Sequence, residues 1–375
     1  MSVNNTNSDM MSKYARIFHL IFQNDKISKQ DIAVELNLSL PTVTNNLKKM
    51  EAAGWITADD KFTSTVGRKA IAYSTNDLGT VSLGLAIYKH HVTITALNLK
   101  SVEIAHDSVK INYSNTSEYY HSVCDFINDF IKKSIPSTSN ILGIGIGIQG
   151  LVSSDKQTVL YGKIFDNTGL TTEQFSKHLD IPVNFYHDAD CVAVAEQYAQ
   201  VDHRDSTYLS IGEHVGTAII INDSIYSGDN GRSGTMEHIT LNPVDGRQCY
   251  CGNLGCIETY CSLSSLLSED ETIDEFIKKL HQGNSNIEAR WDDYLKYLAM
   301  AINDLHMFLD NQLVIAGDLA RYITDSTLQE LDNRIKKITA FPEDKSYLKL
   351  GKILNRSVAK GAALPALSQL INSFS

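Results

Sequence analysis

Three cysteines crowd into eight residues near the middle of the chain, in the stretch HITLNPVDGRQCYCGNLGCIE that runs from His238 to Glu258. His238 stands eleven positions before the first of them, Cys249. A segment that converges one imidazole and three thiolates on a point restricts the folds open to the chain. Gly246, Gly252 and Gly255 supply the backbone freedom such a tight path needs. One nitrogen and three sulfurs form a soft donor set that selects tetrahedral zinc, so His238, Cys249, Cys251 and Cys256 are the expected ligands. Four protein ligands leave no open coordination position, which makes the expected metal structural rather than catalytic. The competing explanation is three unrelated buried thiols in one loop. Only six cysteines occur in 375 residues, and clustering of this kind is hard to reach by chance. Cys124, Cys191 and Cys261 lie apart and read as ordinary buried thiols.

The rest of the chain is long enough for two or three domains with their own cores. Its formal net charge is -11, which argues against a nucleic-acid binder as a whole. The charge is uneven, however. Residues 1–75 carry nine Lys and Arg against seven Asp and Glu, a net of +2, so the remainder carries -13. A weakly basic head on an acidic body allows DNA contact at one end only. No secretory signal pattern opens the chain, and no apolar run approaches the ~20 residues of a membrane span. A cytoplasmic location, a reducing compartment and no membrane partner are expected.

In the head, Ile17, Leu20 and Ile21 recur at helical spacing between Met11 and Gln23. Ser28 is placed to cap a second helix, with Asp31 completing a capping-box-like pattern and Ile27 and Ile32 forming the staple. Asn37-Leu38-Ser39 breaks that helix and caps a third, LPTVTNNLKKMEAAGW, whose Val43, Leu47 and Met50 point inward. Its other face shows Thr42, Thr44, Asn45, Asn46, Lys48 and Lys49. Small hydroxyl and amide groups near a helix start, followed by lysines, suit base edges and phosphates in a major groove. The candidate DNA contacts are therefore Ser39, Thr42, Thr44, Asn45, Asn46 and Lys48. Gly54 ends the helix, and WITADDKFTSTVGRKAIAYST reads as a two-stranded wing with Arg68 and Lys69 near its far end. A helical cap with a solvated polar face, or a winged helix that binds protein, would share parts of this pattern.

The body reads as strand groups and helices that repeat twice, which suggests two similar α/β lobes. VSLGLAIYKHHVTITALNLKSVEI alternates like a strand pair or meander, and a helix is expected around Tyr119–Lys133. NILGIGIGIQGLV is a buried strand running into a glycine turn. IPVNFYHDADCVAVAEQYA is a strand followed by a helix, STYLSIGEHVGTAIIINDSIYSG is a hairpin, and LVIAGDLA is another buried strand.

Several of these stretches together resemble the ROK family (repressors, open reading frames, kinases). SLPTVTNNLKKMEAAGWI and GRKAIAYSTN are similar to the recognition helix and wing of its repressor branch. GIGIQGLV, HDADCVAVAE, SGTMEH with CYCGNLGCIE, and AGDLA with VAKGAAL carry the resemblance across most of residues 80–365. It implies an α/β chain with an N-terminal winged helix-turn-helix at 1–75 and a two-lobed actin-like ATPase (ROK) fold. The first lobe would span 76–187, joined by a C-terminal helix at 356–375, and the second 188–355. The resemblance also assigns the same four residues to zinc and places the neighbourhood of His238 beside a sugar site.

Kinase activity would need cradles for the ATP phosphates, a base for the sugar hydroxyl and groups that orient the sugar. Kinases of this family open with Asp-x-Gly-Gly-Thr, whereas AIYKH stands here. Ala86 replaces the aspartate, and Tyr88 and Lys89 replace glycines whose backbone would approach phosphate. The second cradle, Gly-Thr-Gly-x-Gly, is GEHVG, and Glu213 sets a negative charge beside the expected phosphates. The late Gly-Gly is Gly317-Asp318. Asp188 keeps the position of the kinase base, although His187 precedes it where an asparagine is usual, and a helix N-cap is its bland alternative. Asn167 and Glu258 match family sugar contacts, with a capped turn and a helix-start carboxylate as bland readings. The family's Glu-x-Gly-His is Thr235-Met236-Glu237-His238, and Gln149 replaces a proline. The candidate ligand contacts are Asn167, His187, Asp188, His238 and Glu258.

These readings converge on a non-enzymatic transcriptional regulator, a sugar-responsive repressor of carbohydrate genes. Its expected partners are a double-stranded operator, a sugar or sugar derivative, and a second copy in a homodimer or a tetramer. The alternatives are an ATP-dependent sugar kinase with a DNA-binding head, and a regulator that no longer senses a sugar.

Overall fold

The structure, a computed structural model, describes residues 12–59, 71–200, 204–341 and 344–373. The expected wing contacts Arg68 and Lys69 lie outside the described residues.

The head is built from well-capped helices. Ser12 caps α1 (Lys13–Gln23), which buries Ala15, Ile17, Phe18 and Ile21. The short strand β1 (Ile27–Ser28) leads into α2 (Lys29–Glu35), where the Ser28 hydroxyl accepts from the Asp31 N–H. The expected capping box closes only by half. The Asp31 carboxylate takes the Ser28 hydroxyl at 2.6 Å, whereas a full box has the longer Glu or Gln side chain reach back to the cap N–H. Asn37 takes a left-handed turn at φ 51, and Ser39 caps α3 (Leu40–Ala52), which buries Val43, Leu47 and Met50. Strand β2 (Ile56–Asp59) pairs antiparallel with β3 (Ala72–Thr75), and β3 also pairs with β1. Trp55 packs edge-on against Tyr14 and Phe18, tying α1 to the base of the wing.

The first lobe begins with an antiparallel meander, β4 (Thr80–Ile87), β5 (Val92–Asn98) and β6 (Glu103–Val109). Helix α4 (Ser117–Ser134) crosses to β7 (Asn140–Ile148), parallel to β4. A small hairpin, β8 (Leu151–Val152) with β9 (Val159–Tyr161), and α5 (Glu173–Ser176) precede β10 (Val183–His187), parallel to β7. The sheet order is β10-β7-β4-β5-β6.

The second lobe repeats that plan. Helix α6 (Asp188–Ala199) leads into β11 (Ser206–Ile211), β12 (Val215–Ile221) and β13 (Ser224–Ile225), again an antiparallel meander. After the cysteine segment come α7 (Glu258–Cys261), α8 (Leu263–Leu266), α9 (Ile273–His281) and the long α10 (Ser285–Leu309). Strand β14 (Gln312–Ala316) then pairs parallel to β11, and β15 (Leu348–Leu350), beyond α11 (Asp325–Ile338), pairs parallel to β14. The order β13-β12-β11-β14-β15 is that of the first sheet, three antiparallel strands and two parallel ones. Each sheet has its own core, around Ile94, Ile127 and Phe185 in the first and Leu209, Leu298 and Ile315 in the second.

Helix α12 (Ser357–Asn372) lies across the back of the first sheet and against α6. Its close approach explains the glycine-rich strands. A Cβ on Gly84 would overlap the Ala359 carbonyl, one on Gly145 the Ala362 carbonyl, and one on Gly361 the Cys191 carbonyl. Along β7, Gly145 and Gly147 face the helix while Ile144, Ile146 and Ile148 join the core on the other side. The Ser82 hydroxyl donates to the Ala363 carbonyl at 2.7 Å. Farther along, Ala363, Leu364 and Leu367 join one apolar cluster with Phe18, Ile21 and Leu47 of the head. Lys100 and Asp25 pair across the same junction at 3.7 Å. Among the described residues no helix is long and apolar enough to cross a membrane.

Candidate functional site

The segment expected to hold a metal folds into a knot of tight turns. Gly252 and Gly255 take φ of 101 and 75, conformations that suit glycine. Isolated bridges join Thr240 to Cys256 and Gln248 to Leu254, and Cys249 accepts at its carbonyl from the Gly252 N–H at 3.0 Å. Met236–His238 form a single 3-10 turn that presents the imidazole. The ligand atoms of His238, Cys249, Cys251 and Cys256 all lie within 4.8 Å of one another. His238 Nδ1 is 3.7 Å from Cys249 Sγ, and the Cys251 and Cys256 sulfurs are 3.8 Å apart. Metal bonds of about 2.0–2.3 Å in a tetrahedron put neighbouring donors roughly 3.5–3.8 Å apart, so this set fits one metal ion. The three cysteines are free thiols.

Between the lobes lies a cavity of about 570 Å³, lined among others by Gln149, His187, Asp188, Glu237, His238 and Tyr250. Strand β10 delivers His187 and the first turn of α6 delivers Asp188, so both reach the cleft from the lobe boundary. Asp188 is the first residue of α6 and not its N-cap. That position belongs to His187, and the Asp188 carboxylate accepts from the Ala189 N–H at 2.9 Å. His187 Nε2 is 3.4 Å from Asp188, and its Nδ1 is 3.9 Å from Asp190. Burial alone would lower the His187 pKa, but Asp190 and Asp188 outweigh it and raise it to about 9.

Of the five expected ligand contacts, His187, Asp188 and His238 face the cavity. Asn167 is fully buried behind Gly162, and its Nδ2 donates to the Gln149 carbonyl at 3.3 Å. Glu258 is buried too and is spent within the protein. It accepts from the Val215 N–H at 2.7 Å and pairs with His214 Nδ1 at 2.7 Å. Thr235 turns its hydroxyl onto the Arg232 carbonyl at 2.8 Å. Glu237 is 7% exposed and holds His238 Nε2 at 3.8 Å. Burial, then the charges of Glu258 and Asp188, raise its pKa to about 7 against the opposing pull of His187.

Three residues here escaped the reading of the sequence. His214 sits inside GEHVG, where Glu213 drew attention, and its partner Glu258 is 44 residues away. Tyr250 lies between two cysteines of the cluster, and its ring meets His238 at 5.1 Å and His214 at 5.8 Å. His91 stacks on Tyr88 with centroids 4.6 Å apart, and the Tyr88 N–H donates to the His91 carbonyl. Only the aromatic character of His214 and Tyr250, amid glycines and cysteines, could have pointed to them, and His91 stands in no such setting.

The turns that would cradle phosphates hold side chains instead. Tyr88 fills the β4–β5 turn, and Lys89 reaches across the cleft to Glu213 of the β11–β12 turn at 3.8 Å. The negative charge expected to repel phosphate is thus matched by the residue that replaced a cradle glycine. Past Gly317, Asp318 pairs with Arg321 at 3.3 Å.

On the head, Asn45 and Lys48 are exposed along α3, and Thr44 is half-buried beside them. Ser39, Thr42 and Asn46 are locally engaged: the Ser39 and Thr42 hydroxyls lie 2.8 Å apart, and Asn46 Nδ2 donates to the Thr42 carbonyl.

Residues 82–369 match the family model described as ROK family, and residues 16–57 match that for a winged helix-turn-helix DNA-binding unit. The chain is 28% identical over 330 residues to the DNA-binding transcriptional dual regulator NagC of Escherichia coli (strain K12), covering 81% of this chain and 80% of that one. It is 24% identical to the xylose repressor of Caldicellulosiruptor bescii, over 95% of both chains. Among solved structures, a ROK family transcriptional regulator, a homologue of the E. coli MLC protein, superposes with a TM-score of 0.74 and 22% identity over 96% of this chain and 97% of that one. A ROK family glucokinase from Streptomyces griseus, in complex with glucose and AMPPNP, gives 0.66 and 18% over 77% of this chain and 99% of its own.

Proposed function

The chain belongs to the ROK family, and from that premise we propose that it is a sugar-responsive DNA-binding repressor of carbohydrate genes whose two-lobed body serves as the sensor. One observation carries the reading: relatives named as repressors align with head and body together, over 95% of the chain, whereas the glucokinase accounts for 77% of it. A winged helix joined to a ligand-sized cleft is the arrangement that couples DNA to a small molecule. Asn45 and Lys48 on α3, together with Arg68 and Lys69, are proposed DNA contacts. Paired recognition helices of a homodimer would read a palindromic operator. The sugar shifts DNA affinity only through its different affinity for the two lobe arrangements. His238, Cys249, Cys251 and Cys256 are proposed to hold a structural zinc that braces the cavity wall carrying His238 and Tyr250. The test is binding of the purified chain to its own upstream DNA and to random duplex of equal length. A salt-dependent preference for the former is expected, and equal binding to both sinks the proposal.

Asp188 alone favours a second reading, an ATP-dependent sugar kinase. Tyr88, Lys89 and Glu213 oppose it, because they occupy the turns where phosphate would lie. Turnover of ATP with a panel of hexoses, amino sugars and pentoses, abolished in Asp188→Asn, would establish the kinase instead.

A further inference from the structure

Glu237 stands where the Glu-x-Gly-His pattern has glycine, and the structure shows what the added carboxylate does. Its Oε1 lies 3.8 Å from Nε2 of His238, whose other nitrogen faces the cysteines. Its Oε2 is buried and has no hydrogen-bond partner among the described residues. Glu237 lines the cleft cavity although it is only 7% exposed. Among the cavity-lining residues that are described, one other buried side-chain polar atom lacks a partner, Gln149 Oε1. Both are acceptors, so the wall asks for donors.

The charges around Glu237 sharpen the demand. His214 is committed to Glu258 at 2.7 Å, and His187 is shared between Asp188 and Asp190. Lys89 is turned to Glu213. Lys163 and Arg232, which also line the cavity, are exposed to solvent. His187 pulls on Glu237 only through space, and the Glu237 Oε2 is left without a hydrogen-bonded partner on the cavity wall among the described residues. A buried carboxylate is costly unless it is paired. A sugar hydroxyl supplies one donor and no charge, whereas an ammonium supplies three donors and a positive charge beside the carboxylate.

Resting on the reading of the cleft as an effector site, we infer that Glu237 selects the effector by pairing its Oε2 with the protonated amino group of an unacetylated amino sugar. Oε1 stays on His238, so the same side chain links the ligand to the metal loop. An N-acetyl group brings a neutral amide with one donor and a bulky acyl carbon, and it cannot make this pair.

Calorimetric titration of the full chain with D-glucosamine, D-galactosamine and D-mannosamine, each beside its N-acetyl and its neutral hexose counterpart, tests the inference at neutral pH. At least one free amino sugar is expected to bind about tenfold or more tightly than both of its counterparts. Glu237→Gln is expected to remove that preference and leave the neutral hexose within about threefold of its original affinity. The wild-type comparison stands by itself if that variant folds poorly. An N-acetylated or neutral sugar that binds as tightly as the amino sugar overturns the inference and leaves the sugar-responsive reading intact. Equal weakening of all sugars in Glu237→Gln also overturns it. Absence of binding by every sugar, with operator binding retained, overturns both.

Discussion

At the scale of single residues, the cleft is organised by paired charges, two of the pairs joining segments far apart in sequence. Glu258 serves His214, Lys89 serves Glu213, and His187 serves two aspartates of the helix that follows it. The His-Cys cluster differs in kind, because its four members lie within 19 residues and their side-chain chemistry alone points to the class of ion such a set would hold. Replacing Cys251 by serine should release the metal or weaken its binding at least tenfold, since loss of a mere supporting partner already costs about 10–100-fold. It should also lower the thermal midpoint, because metal binding and local folding are coupled. Unchanged zinc content and midpoint in that variant would contradict the assignment. His187 gives a pH signature. Its folded pKa of about 9 lies above the ordinary histidine value of about 6.5. A raised pKa means stability that is fully present below about 6.5 and is lost as pH rises through 9. The gap in unfolding free energy between wild type and His187→Gln, at most about 3 kcal/mol, should therefore narrow between those limits. A gap that widens with pH would show that the imidazole is not held charged.

Among elements, α12 explains more of the molecule than its sequence suggests. SVAKGAALPALSQLIN reads as a plain apolar helix, yet it seats on glycines from two strands of the first sheet and on the backbone of α6. Its first residues, Ser357 and Val358, line the cavity, and Leu364 and Leu367 pack with the head. Gly361→Ala places a methyl group against the Cys191 carbonyl. Alanine normally stabilises a helix by roughly 1 kcal/mol over glycine, but overpacking against backbone costs about 1–3 kcal/mol. A net loss of stability is expected, and a gain in thermal midpoint would show that the helix has room to shift. The helices and strands themselves were legible. The capped α2 and α3, the α4 helix and the meander after residue 80 follow local rules of caps and period. The glycine alternation in β7 was read only as a strand running into a turn, because its partner helix lies more than 200 residues downstream.

For the whole molecule, the two sheets share one strand order and enclose a cleft, with the head joined to the first lobe and to α12. One helix, α12, therefore touches both the cleft and the head. Charge is divided the same way, with the basic excess confined to residues 1–75. DNA affinity should consequently fall steeply with salt while depending on the head alone. Removing Lys48 should reduce the slope of log affinity against log salt by about one unit, and neutralising Lys163 on the body should leave that slope unchanged. A slope that responds to Lys163 would mean that the acidic body touches the duplex.

Taken by itself, the sequence determined which four residues cluster as a candidate metal set, the capped helices of the head and the repeated α/β plan, because each rests on neighbours close in the chain. It also led to the expectation of altered phosphate turns, since tyrosine or lysine in place of glycine has a steric meaning wherever it falls. Only the tertiary structure decided that Glu258 and Asn167 lie behind the cavity wall, that Lys89 and Glu213 answer each other, and that Glu237 reaches both His238 and the cleft. The reason is physical: pairing and burial depend on which distant segments the two sheets bring together, and short-range spacing carries no record of that meeting.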